Sequence, residues 1–442
     1  MRVGNSMSPA SIPMHKVLFI NRSYWPDAEA TGQLLTELCE DLAGRLDVSV
    51  LAGQPNQNPR GETFRASGRE TRGGVTIERV RHPQFAKRGL VGRGLNLVGF
   101  LVAAFWRSLS VRRPDVVIVE SDPFLLPFLG LWLKVTRGCH FVAYLQDLYP
   151  DIAVALGKVR EGLLTRTLRG LIRFTLRRAD RIVVPGEDMR DRLVAWGLPA
   201  GRIEVIPNWV DTSKVFPVKS GNRFRLREAP GETFLVMHSG NMGLSQQLST
   251  LVDAAALLRD RPEFLLLLVG GGGARADLER QVNDLKLTNV RFLPYQPREE
   301  LAESLSAADV QIVSTDAAAY SCLMPSKLYG ILAAGTSVLA VTAGESEVAR
   351  VVEQHRVGRV VTPGNAEHLA AAIRGSMNDR GEAAAEGVRA RDLAVRLYDR
   401  ARQTARFAKL IEGVLAPAGS AIREADRASV SPPTPDVAME RP

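Results

Sequence analysis

Three consecutive residues, Pro325, Ser326 and Lys327, stand directly before an apolar stretch with helical spacing. Pro325 can set the angle at which the chain enters a helix, and Ser326 is a residue type that commonly caps one. The first turn of a helix has unpaired N–H groups and a partial positive charge, which disfavours a lysine there. Lys327 therefore indicates that an anion binds at this turn; the alternative is a solvent-exposed lysine without a ligand.

Glycine-rich stretches follow two strand-like runs: SGNMG at 239–243 and GGGG at 270–273. Glycine allows backbone N–H groups to approach a phosphate or a sugar closely. A tight turn after a strand explains the same residues without a ligand, so neither stretch is decisive by itself. Neither contains G-x-G-x-x-G, which argues against a dehydrogenase fingerprint.

The composition is ordinary for a soluble chain but has a basic balance. Its 442 residues suffice for two or three domains, and the net charge of +9 favours nucleic acid, phosphate-bearing ligands or a membrane surface as partners. The three cysteines are far apart and lack metal-ligand spacing, which fits a reducing compartment. No apolar run reaches the roughly 18 residues of a spanning helix, and residues 1–15 lack the apolar core of a signal peptide.

Short apolar runs alternate with helical patterns in two sets, which predicts an α/β protein with two parallel, Rossmann-like sheets facing a cleft. Ligands of such sheets bind beyond the carboxyl ends of the strands. A polar stretch separates the two sets. The predicted division is a loose N-terminus at 1–15, a first domain at 16–218, a linker at 219–232, a second domain at 233–378, C-terminal helices at 379–415 and a disordered tail at 416–442.

Five segments together resemble the family 4 glycosyltransferases: IPNWVD (206–211), SGNMGLSQQLSTLVDAA (239–255), VGGGG (269–273), VRFLPYQPREELAESLSAADVQIV (290–313) and MPSKLYGILAAGTSVLAV (324–341). Their order and spacing are similar to the family over most of the chain, and the Pro-Ser-Lys loop resembles that of colanic-acid, O-antigen and capsule transferases. The resemblance implies the GT-B fold, in which a C-terminal helix crosses back to the first domain. It also implies retaining transfer from a nucleotide-sugar donor, with no required metal or other cofactor.

The donor site implied by the resemblance lacks charges that many family members have. Asn241 and Gln246 stand where an arginine and a lysine clamp the diphosphate. Cys322 and Gly330 stand near the positions of two glutamates, of which the second usually holds the ribose. The contacts to the diphosphate and to the ribose therefore need other residues here.

We predict that Lys327, together with backbone N–H groups of its own loop, neutralises the departing nucleotide diphosphate in place of the lost pair. Tyr295 could stack on the base or pack in the core, and Glu347 could support the donor sugar or form an exposed salt bridge. The complete predicted donor set is Gly240, Asn241, Gly271, Leu293, Tyr295, Pro325, Ser326, Lys327, Leu328 and Glu347.

The first domain is expected to bind the acceptor, because two of its polar loops follow strands at the same edge of the sheet. In the first loop, Arg22 could meet a phosphate, and Thr31 and Gly32 open the following helix. In the second, Asp147 is the preferred carboxylate for catalysis or for orienting the acceptor, although an aspartate after a strand is often a cap. Glu120 and Asp151 are weaker candidates.

Two segments of the first domain combine apolar and basic residues in a way that suits a membrane interface. A solvated charged face is the simpler alternative for either segment alone. Residues 85–113 contain Phe85, Leu90, Leu97, Phe100, Leu101, Phe105 and Trp106 beside Lys87, Arg88, Arg93, Arg107, Arg112 and Arg113. Residues 161–178 place Arg166, Arg169, Arg173 and Arg177 on one helix face, opposite Leu164, Leu168, Leu171 and Ile172.

These features together predict a retaining glycosyltransferase with a UDP-linked donor and a polyprenyl-diphosphate-linked saccharide acceptor. It is expected in the cytoplasm, peripheral on the inner face of the plasma membrane, and without a nucleic-acid partner, because no recognised binding module is present. One alternative is a sugar-nucleotide epimerase of the UDP-GlcNAc 2-epimerase type, for which His238 is the suggestive histidine. Another is a non-catalytic, sugar-nucleotide-binding scaffold subunit.

Overall fold

The computed structural model describes residues 14–56, 58, 61–85, 90–243 and 246–416. Predictions for residues 1–13, for Lys87 and Arg88, and for residues 417–442 lie outside the described part, as do the side chains of residues 90, 91 and 93. The described chain folds into two α/β domains and a C-terminal helix that returns to the first of them.

The first domain is built on a sheet in which seven strands are parallel and one edge strand is antiparallel, in the order β3-β4-β2-β1-β5-β6-β7-β8. The interior strands are continuous apolar runs, as expected when both faces of a parallel sheet are covered. The strands are β1 (Lys16–Asn21), β2 (Asp47–Ala52), β3 (Gly68–Arg72), β4 (Val75–Arg79), β5 (Val116–Glu120), β6 (His140–Tyr144), β7 (Arg181–Val184) and β8 (Ile203–Val205).

Helices cover both faces of this sheet. One face packs against α1, and the other against a layer that contains α2, α3 and α5. The helices of the first domain are α1 (Ala30–Leu42), α2 (Leu90–Ser108), α3 (Pro127–Arg137), α4 (Asp151–Ala155), α5 (Leu163–Leu176) and α6 (Glu187–Ala195).

The second domain has a fully parallel sheet in the order β11-β10-β9-β12-β13-β14. Its strands are β9 (Phe234–Ser239), β10 (Phe264–Val269), β11 (Val290–Leu293), β12 (Val310–Ser314), β13 (Ser337–Val341) and β14 (Gly358–Val361). Its helices are α7 (Arg223–Glu228), α8 (Ser249–Ala256), α9 (Arg275–Asp284), α10 (Leu301–Ser306), α11 (Lys327–Ala333), α12 (Glu347–Gln354), α13 (Ala366–Asn378) and α14 (Arg380–Leu397).

The segment at 219–232 differs from its prediction as a linker, because it contains α7. Asn222 caps this helix by accepting a hydrogen bond from the N–H of Arg225, and Phe224 is buried in the core of the second domain. Val215 already belongs to the same core. The segment is therefore an integral part of the second domain. Its arginines made it resemble a polar linker in the sequence.

The C-terminal helices divide between the two domains. Helix α14 packs against α11 and β13 of the second domain, whereas α15 (Arg400–Leu415) packs against α1 of the first. Phe407 and Ile411 of α15 are fully buried beside Tyr144 and Trp209 in the core of the first domain. The crossing helix therefore joins the two halves, as the GT-B prediction requires.

The carboxyl edges of the two sheets face one another, and loops from both domains touch across the cleft. The backbone of Asp147, after β6, forms a bridge with Leu323 of the second domain, and the N–H of Leu148 donates to the carbonyl of Cys322 at 2.9 Å. The loop that precedes α11 is thus held by both domains, and the predicted site residues converge there.

Candidate functional site

Lys327, the first residue of α11, extends its side chain to the loop that follows β9. Its Nζ lies 2.9 Å from Nε2 of His238, 2.9 Å from the carbonyl oxygen of Asn241 and 3.3 Å from Oε1 of Gln246. Within the described chain it forms no salt bridge, and burial lowers its pKa to about 7. A partly buried ammonium without a counter-ion is a group that gains from binding an anion.

Asn241 and Gln246 are the two positions at which the family resemblance led us to expect an arginine and a lysine. The ammonium of Lys327 contacts both of them from another segment of the chain. One cation therefore contacts both positions, and α11, rather than the loop after β9, supplies it.

The two glycine-rich loops pack directly against one another, which is a structural reason for their composition. The N–H of Gly240 donates to the carbonyl of Val269 at 2.8 Å, and that of Met242 to the carbonyl of Gly271 at 2.7 Å. Gly240 and Gly270 have positive φ angles of 120° and 128°, and a Cβ on Gly240 would come within 2.7 Å of Cε of Lys327. Glycine at 240 is therefore needed to seat the lysine, while its own N–H is used within the protein.

The loop of Pro325, Ser326 and Lys327 enters α11 as predicted, but the predicted serine cap is wrong. The hydroxyl of Ser326 does not cap the helix. The N–H of Leu328 donates to the carbonyl of Pro325 at 3.3 Å, and the side chain of Leu328 is fully buried in the core. An N–H contact of Leu328 with the donor stays a prediction and would compete with this hydrogen bond in the turn.

Tyr295 lies over the second glycine loop, beyond the end of β11. Its hydroxyl donates to the carbonyl of Gly271 at 3.2 Å, and the residue is 55% exposed, so the core-packing alternative is wrong. Leu293 at the end of β11 packs partly against the core, and its carbonyl accepts a hydrogen bond from Nη1 of Arg275 at 3.1 Å. The exposed ring of Tyr295 and the loop of Gly271 form the wall that we predict for the base.

Glu347, the first residue of α12, projects into a small cleft between the domains that Asp188, Tyr320 and Pro325 help to line. Its Oε2 is buried without a hydrogen-bond partner, and a Cβ on Gly186 of the first domain would collide with this carboxyl group. Burial, with a smaller contribution from Asp188, raises the pKa of Glu347 to about 7. The exposed salt bridge that was the alternative for this residue is not formed.

We expect the substitution Glu347→Gln to stabilise the protein at alkaline pH. The pKa of this group is raised from 4.5 to about 7 in the folded state. The contribution of Glu347 to the free energy of unfolding is therefore fully present below about pH 4.5 and is lost as the pH rises through 7. The variant cannot ionise and should gain about 1 to 3 kcal/mol over the natural protein at pH 8.5, with no gain near pH 4.5. Thermal unfolding at both pH values measures the difference. Glu345→Gln, at an exposed site two residues away, serves as the control and should show no such gain.

The contacts that surround Glu347 were not predicted from the sequence. Asp188 of the first domain accepts a hydrogen bond from the N–H of Glu347 at 2.6 Å and also pairs with Arg350. Arg192, on the same helix as Asp188, donates to the hydroxyl of Ser321 at 2.8 Å. The only sequence signal was the acidic start of α6 after a glycine, which is also an ordinary N-terminal helix pattern.

Asp147 lies on the first-domain side of the same loop, one bridge away from Leu323. Burial, with a smaller contribution from Asp122, raises the pKa of Asp147 to about 6. Glu120, one strand away, is fully buried with both carboxyl oxygens unpartnered, and burial raises its pKa well above the ordinary value. Asp151 instead pairs with Arg169 and Arg192, and Arg192 also donates to Ser321. Of these carboxyl groups, Asp147 belongs to the residue whose backbone pairs directly with the loop that carries Lys327.

The remaining predicted acceptor residues surround the start of α1. Arg22 pairs with Asp122, with 3.0 Å between Nη2 and Oδ2, so an acceptor phosphate would have to compete with an internal carboxylate. Thr31 is partly buried and Gly32 is buried against the loop at Ser23, both in the first turn of α1. In the described chain, no group of three or more His, Cys, Asp or Glu side chains is arranged to hold a metal ion.

Comparison with known proteins agrees with this architecture. Residues 30–209 match the Glycosyl transferase 4-like domain, and residues 222–393 match the domain described as Glycosyl transferases group 1. The chain belongs to the glycosyltransferases. The two matches fall on the two α/β domains, so the cleft between them is the cleft of a glycosyltransferase.

Two curated proteins illustrate the relationships of this glycosyltransferase. WcaI of Escherichia coli K12, named for colanic acid biosynthesis, is 28% identical over 373 residues, which cover 81% of this chain and 91% of WcaI. WbjE of Pseudomonas aeruginosa, named as a glycosyltransferase, is 26% identical over 304 residues, which cover 68% of this chain and 75% of WbjE.

Three solved structures show the same fold. Sucrose-phosphate synthase from Thermosynechococcus elongatus has a TM-score of 0.73 at 20% identity, and the match covers 94% of this chain and all of that one. Anabaena HepE in complex with UDP-glucose has a TM-score of 0.68 at 17% identity, with coverages of 90% and 99%. WaaG, described as a glycosyltransferase of lipopolysaccharide biosynthesis, has a TM-score of 0.64 at 16% identity, with coverages of 90% and 100%. The GT-B prediction is confirmed.

Proposed function

We propose that this glycosyltransferase is a retaining enzyme of family 4. It transfers a sugar from a UDP-linked donor to a polyprenyl-diphosphate-linked saccharide during synthesis of a bacterial surface polysaccharide. The observation that carries the proposal is the partly buried ammonium of Lys327, held against the loop after β9 with no carboxylate among its contacts. The solved complex of HepE with UDP-glucose and the name of WcaI support the choice of donor and of pathway.

In this proposal the second domain binds the donor. The base lies against Tyr295 and Gly271, the diphosphate meets Lys327, and the sugar faces the small cleft beside Glu347. Departure of UDP leaves negative charge on its phosphate oxygens, and an ammonium fixed in a site of low polarity stabilises that charge strongly. Lys327 is therefore the residue that we expect to promote departure of the leaving group.

The first domain binds the acceptor and completes the site. Asp147 lies beside the loop of Lys327, where a carboxylate can orient the attacking hydroxyl or accept its proton. Glu347 and Asp147 lie in different domains, and no spacing in the sequence fixes them as a nucleophile and its partner. We therefore favour attack of the acceptor on the same face from which UDP leaves, with retention of the anomeric configuration.

A transfer assay tests this function. The purified protein is incubated with UDP-sugars and a short polyprenyl-diphosphate-linked saccharide, and released UDP and the product are measured. We expect acceptor-dependent release of UDP and a product with the anomeric configuration of the donor, read by NMR. Interconversion of the UDP-sugar without an acceptor would instead identify an epimerase, and binding without turnover would identify a scaffold subunit.

The acceptor proposal requires contact with a membrane, and one layer of the first domain has suitable residues. In the described chain no helix is long and apolar enough to cross a bilayer, so any attachment through described residues is at the surface. Helices α2, α3 and α5 pack on the same face of the first sheet. Their outward side exposes a set of apolar residues: Leu95, Val98, Val102, Trp106, Val135, Leu163, Leu164, Leu171 and Phe174. We call this set the apolar face.

The apolar face differs in part from the residues predicted for it. Phe100 is fully buried and Ile172 is nearly so, because both belong to the core between these helices and the sheet. Phe105 packs against Trp132. Arg107 pairs with the buried carboxylate of Glu78. On α5, Arg169 is held by Asp151 and Glu161, and the exposed Arg166 lies 3.6 Å from Glu161. Arg177 and Arg178, directly after α5, are also exposed beside the apolar face. We propose an anionic leaflet as the occupant, because exposed arginines flank exposed apolar side chains.

The double substitution Val102→Glu and Trp106→Glu is expected to reduce binding to vesicles that contain phosphatidylglycerol at least tenfold. The change removes two apolar side chains and adds two charges of the same sign as the lipid. Sedimentation with vesicles measures the bound fraction. The matched control is Val388→Glu with Val395→Glu, which alters two exposed valines of α14 in the second domain. Equal loss in both variants would contradict attachment through the apolar face.

A further inference from the structure

His238, the penultimate residue of β9 in the second domain, is fully buried. Its Nε2 contacts Nζ of Lys327 at 2.9 Å, and its Nδ1 has no hydrogen-bond partner. A buried polar group without full hydrogen bonding costs stability. The presence of an imidazole therefore calls for a role connected with the one group that it contacts.

The contacts of the ammonium define that role. A lysine ammonium has three N–H donors and no acceptor. Two of them are directed to His238 and to the carbonyl of Asn241, each at 2.9 Å, and the third meets the amide oxygen of Gln246 at the longer distance of 3.3 Å. His238 is held in β9 and the carbonyl of Asn241 belongs to the backbone, so both are fixed. The amide of Gln246 belongs to a side chain that can rotate away.

We propose that His238 is a positioning residue for Lys327: its neutral imidazole accepts one N–H of the ammonium and thereby directs the third N–H, now on Gln246, toward the donor diphosphate. This inference rests on the proposed function, because it assumes that Lys327 binds the diphosphate. It adds a residue that touches neither donor nor acceptor and acts only through the lysine.

The protonation states are consistent with this role. Burial, and after it the charge of Lys327, lowers the pKa of His238 well below its ordinary value, so the imidazole is neutral and can accept at Nε2. Burial lowers the pKa of Lys327 to about 7. A hydrogen bond to the ammonium favours the charged form, so removing the acceptor should lower this pKa further.

The other groups that face the pair are uncharged. From the loop after β9 these are the carbonyl of Asn241 and the amide of Gln246, and from β12 the backbone of Ile312 contributes at His238. Within the described chain, no carboxylate contributes to the pKa shift of either residue. We therefore expect only Lys327 of this pair to change its charge between pH 6 and pH 8, and its pKa to depend on the hydrogen bond that His238 accepts.

The test compares His238→Leu, which removes the acceptor, with His238→Gln, which retains one. UDP binding is measured by calorimetry at pH 6 and pH 8, with uridine as a probe that lacks phosphate. Ionisation of UDP itself is common to all variants and cancels in the ratios. For His238→Leu we expect UDP affinity to fall about tenfold at pH 8 and less at pH 6, because low pH restores the ammonium. His238→Gln should remain within about threefold of the natural protein, and uridine affinity should not change in either variant.

Lys327→Met separates this inference from the function on which it rests. If that variant binds UDP as well as the natural protein does, the lysine does not hold the diphosphate and the proposed function fails. Two results would overturn only the role of His238, provided that Lys327→Met weakens UDP binding. In the first, His238→Leu binds UDP as well as the natural protein does; in the second, His238→Leu weakens UDP binding equally at both pH values. A loss of uridine binding in His238→Leu would likewise overturn it, since it would show a packing role. Should the leucine prevent folding, a fall in UDP affinity of more than about threefold in His238→Gln would overturn the role, because that variant retains an acceptor.

Discussion

Replacement of Lys327 by methionine is expected to weaken UDP binding about 10- to 100-fold, because a hydrogen bond to a charged group contributes about 1.5 to 3 kcal/mol. The methionine has a similar length and can occupy the same channel over Gly240, so the loops after β9 and β10 should keep their places. Titration of UDP, followed by calorimetry, measures the change. Uridine affinity should remain within about twofold, since in the proposed function the lost charge contacts only the phosphates.

Lys219→Met is the matched control for this variant. Lys219 is another desolvated lysine of the second domain, and burial lowers its pKa as well. Its Nζ contacts the carbonyl of Ser306 at 3.5 Å, at the amino end of the sheet and away from the cleft. Loss of UDP affinity in the control would indicate a general effect of removing a buried lysine. An unchanged UDP affinity in Lys327→Met would contradict the assignment of the diphosphate.

Substitution of Asp147 by asparagine is expected to lower the transfer rate by about 100-fold or more, within the range that general acid–base groups contribute. The change keeps the size of the side chain and the backbone bridge to Leu323, but removes the carboxylate. Because Asp147 lies in the first domain, where we propose that the acceptor binds, UDP affinity should stay within about twofold of that of the natural protein. Steady-state transfer and UDP titration on the same preparation separate the two effects.

Asp115→Asn is the control for Asp147→Asn. Asp115 precedes β5 at the amino ends of the strands, on the side of the first sheet away from the cleft. There it accepts a hydrogen bond from the N–H of Lys16 at 2.8 Å. Its substitution should leave the transfer rate near that of the natural protein. A loss of UDP binding in Asp147→Asn as large as its loss of rate would assign Asp147 to holding the loop of Lys327 instead of to the chemistry.

Most of the fold could be predicted because its strands are buried on both faces and read as continuous apolar runs. Strand β3 was missed for the complementary reason. Its residues, Gly68 to Arg72, are polar, and it is the antiparallel edge strand beyond β4. Helix α7 was missed because one buried phenylalanine is a weak signal among three arginines.

The site could be predicted only in part, because its decisive contacts join distant segments. Lys327 was identified from its place before a helix, but its contact with His238 spans 89 residues and has no local pattern. The approach of Glu347 to Gly186 depends on how the two domains meet, which no periodicity reports. On α2 apolar residues occur on both sides of the helix, so the sequence could not decide between Phe100 and Trp106 as the exposed residue.

A crystal structure of the protein with UDP tests the central claim most directly. We predict that Nζ of Lys327 leaves Gln246 and lies about 3 Å from a phosphate oxygen, while it keeps its contacts with His238 and the carbonyl of Asn241. A diphosphate bound elsewhere, with the ammonium still on Gln246, would contradict the account.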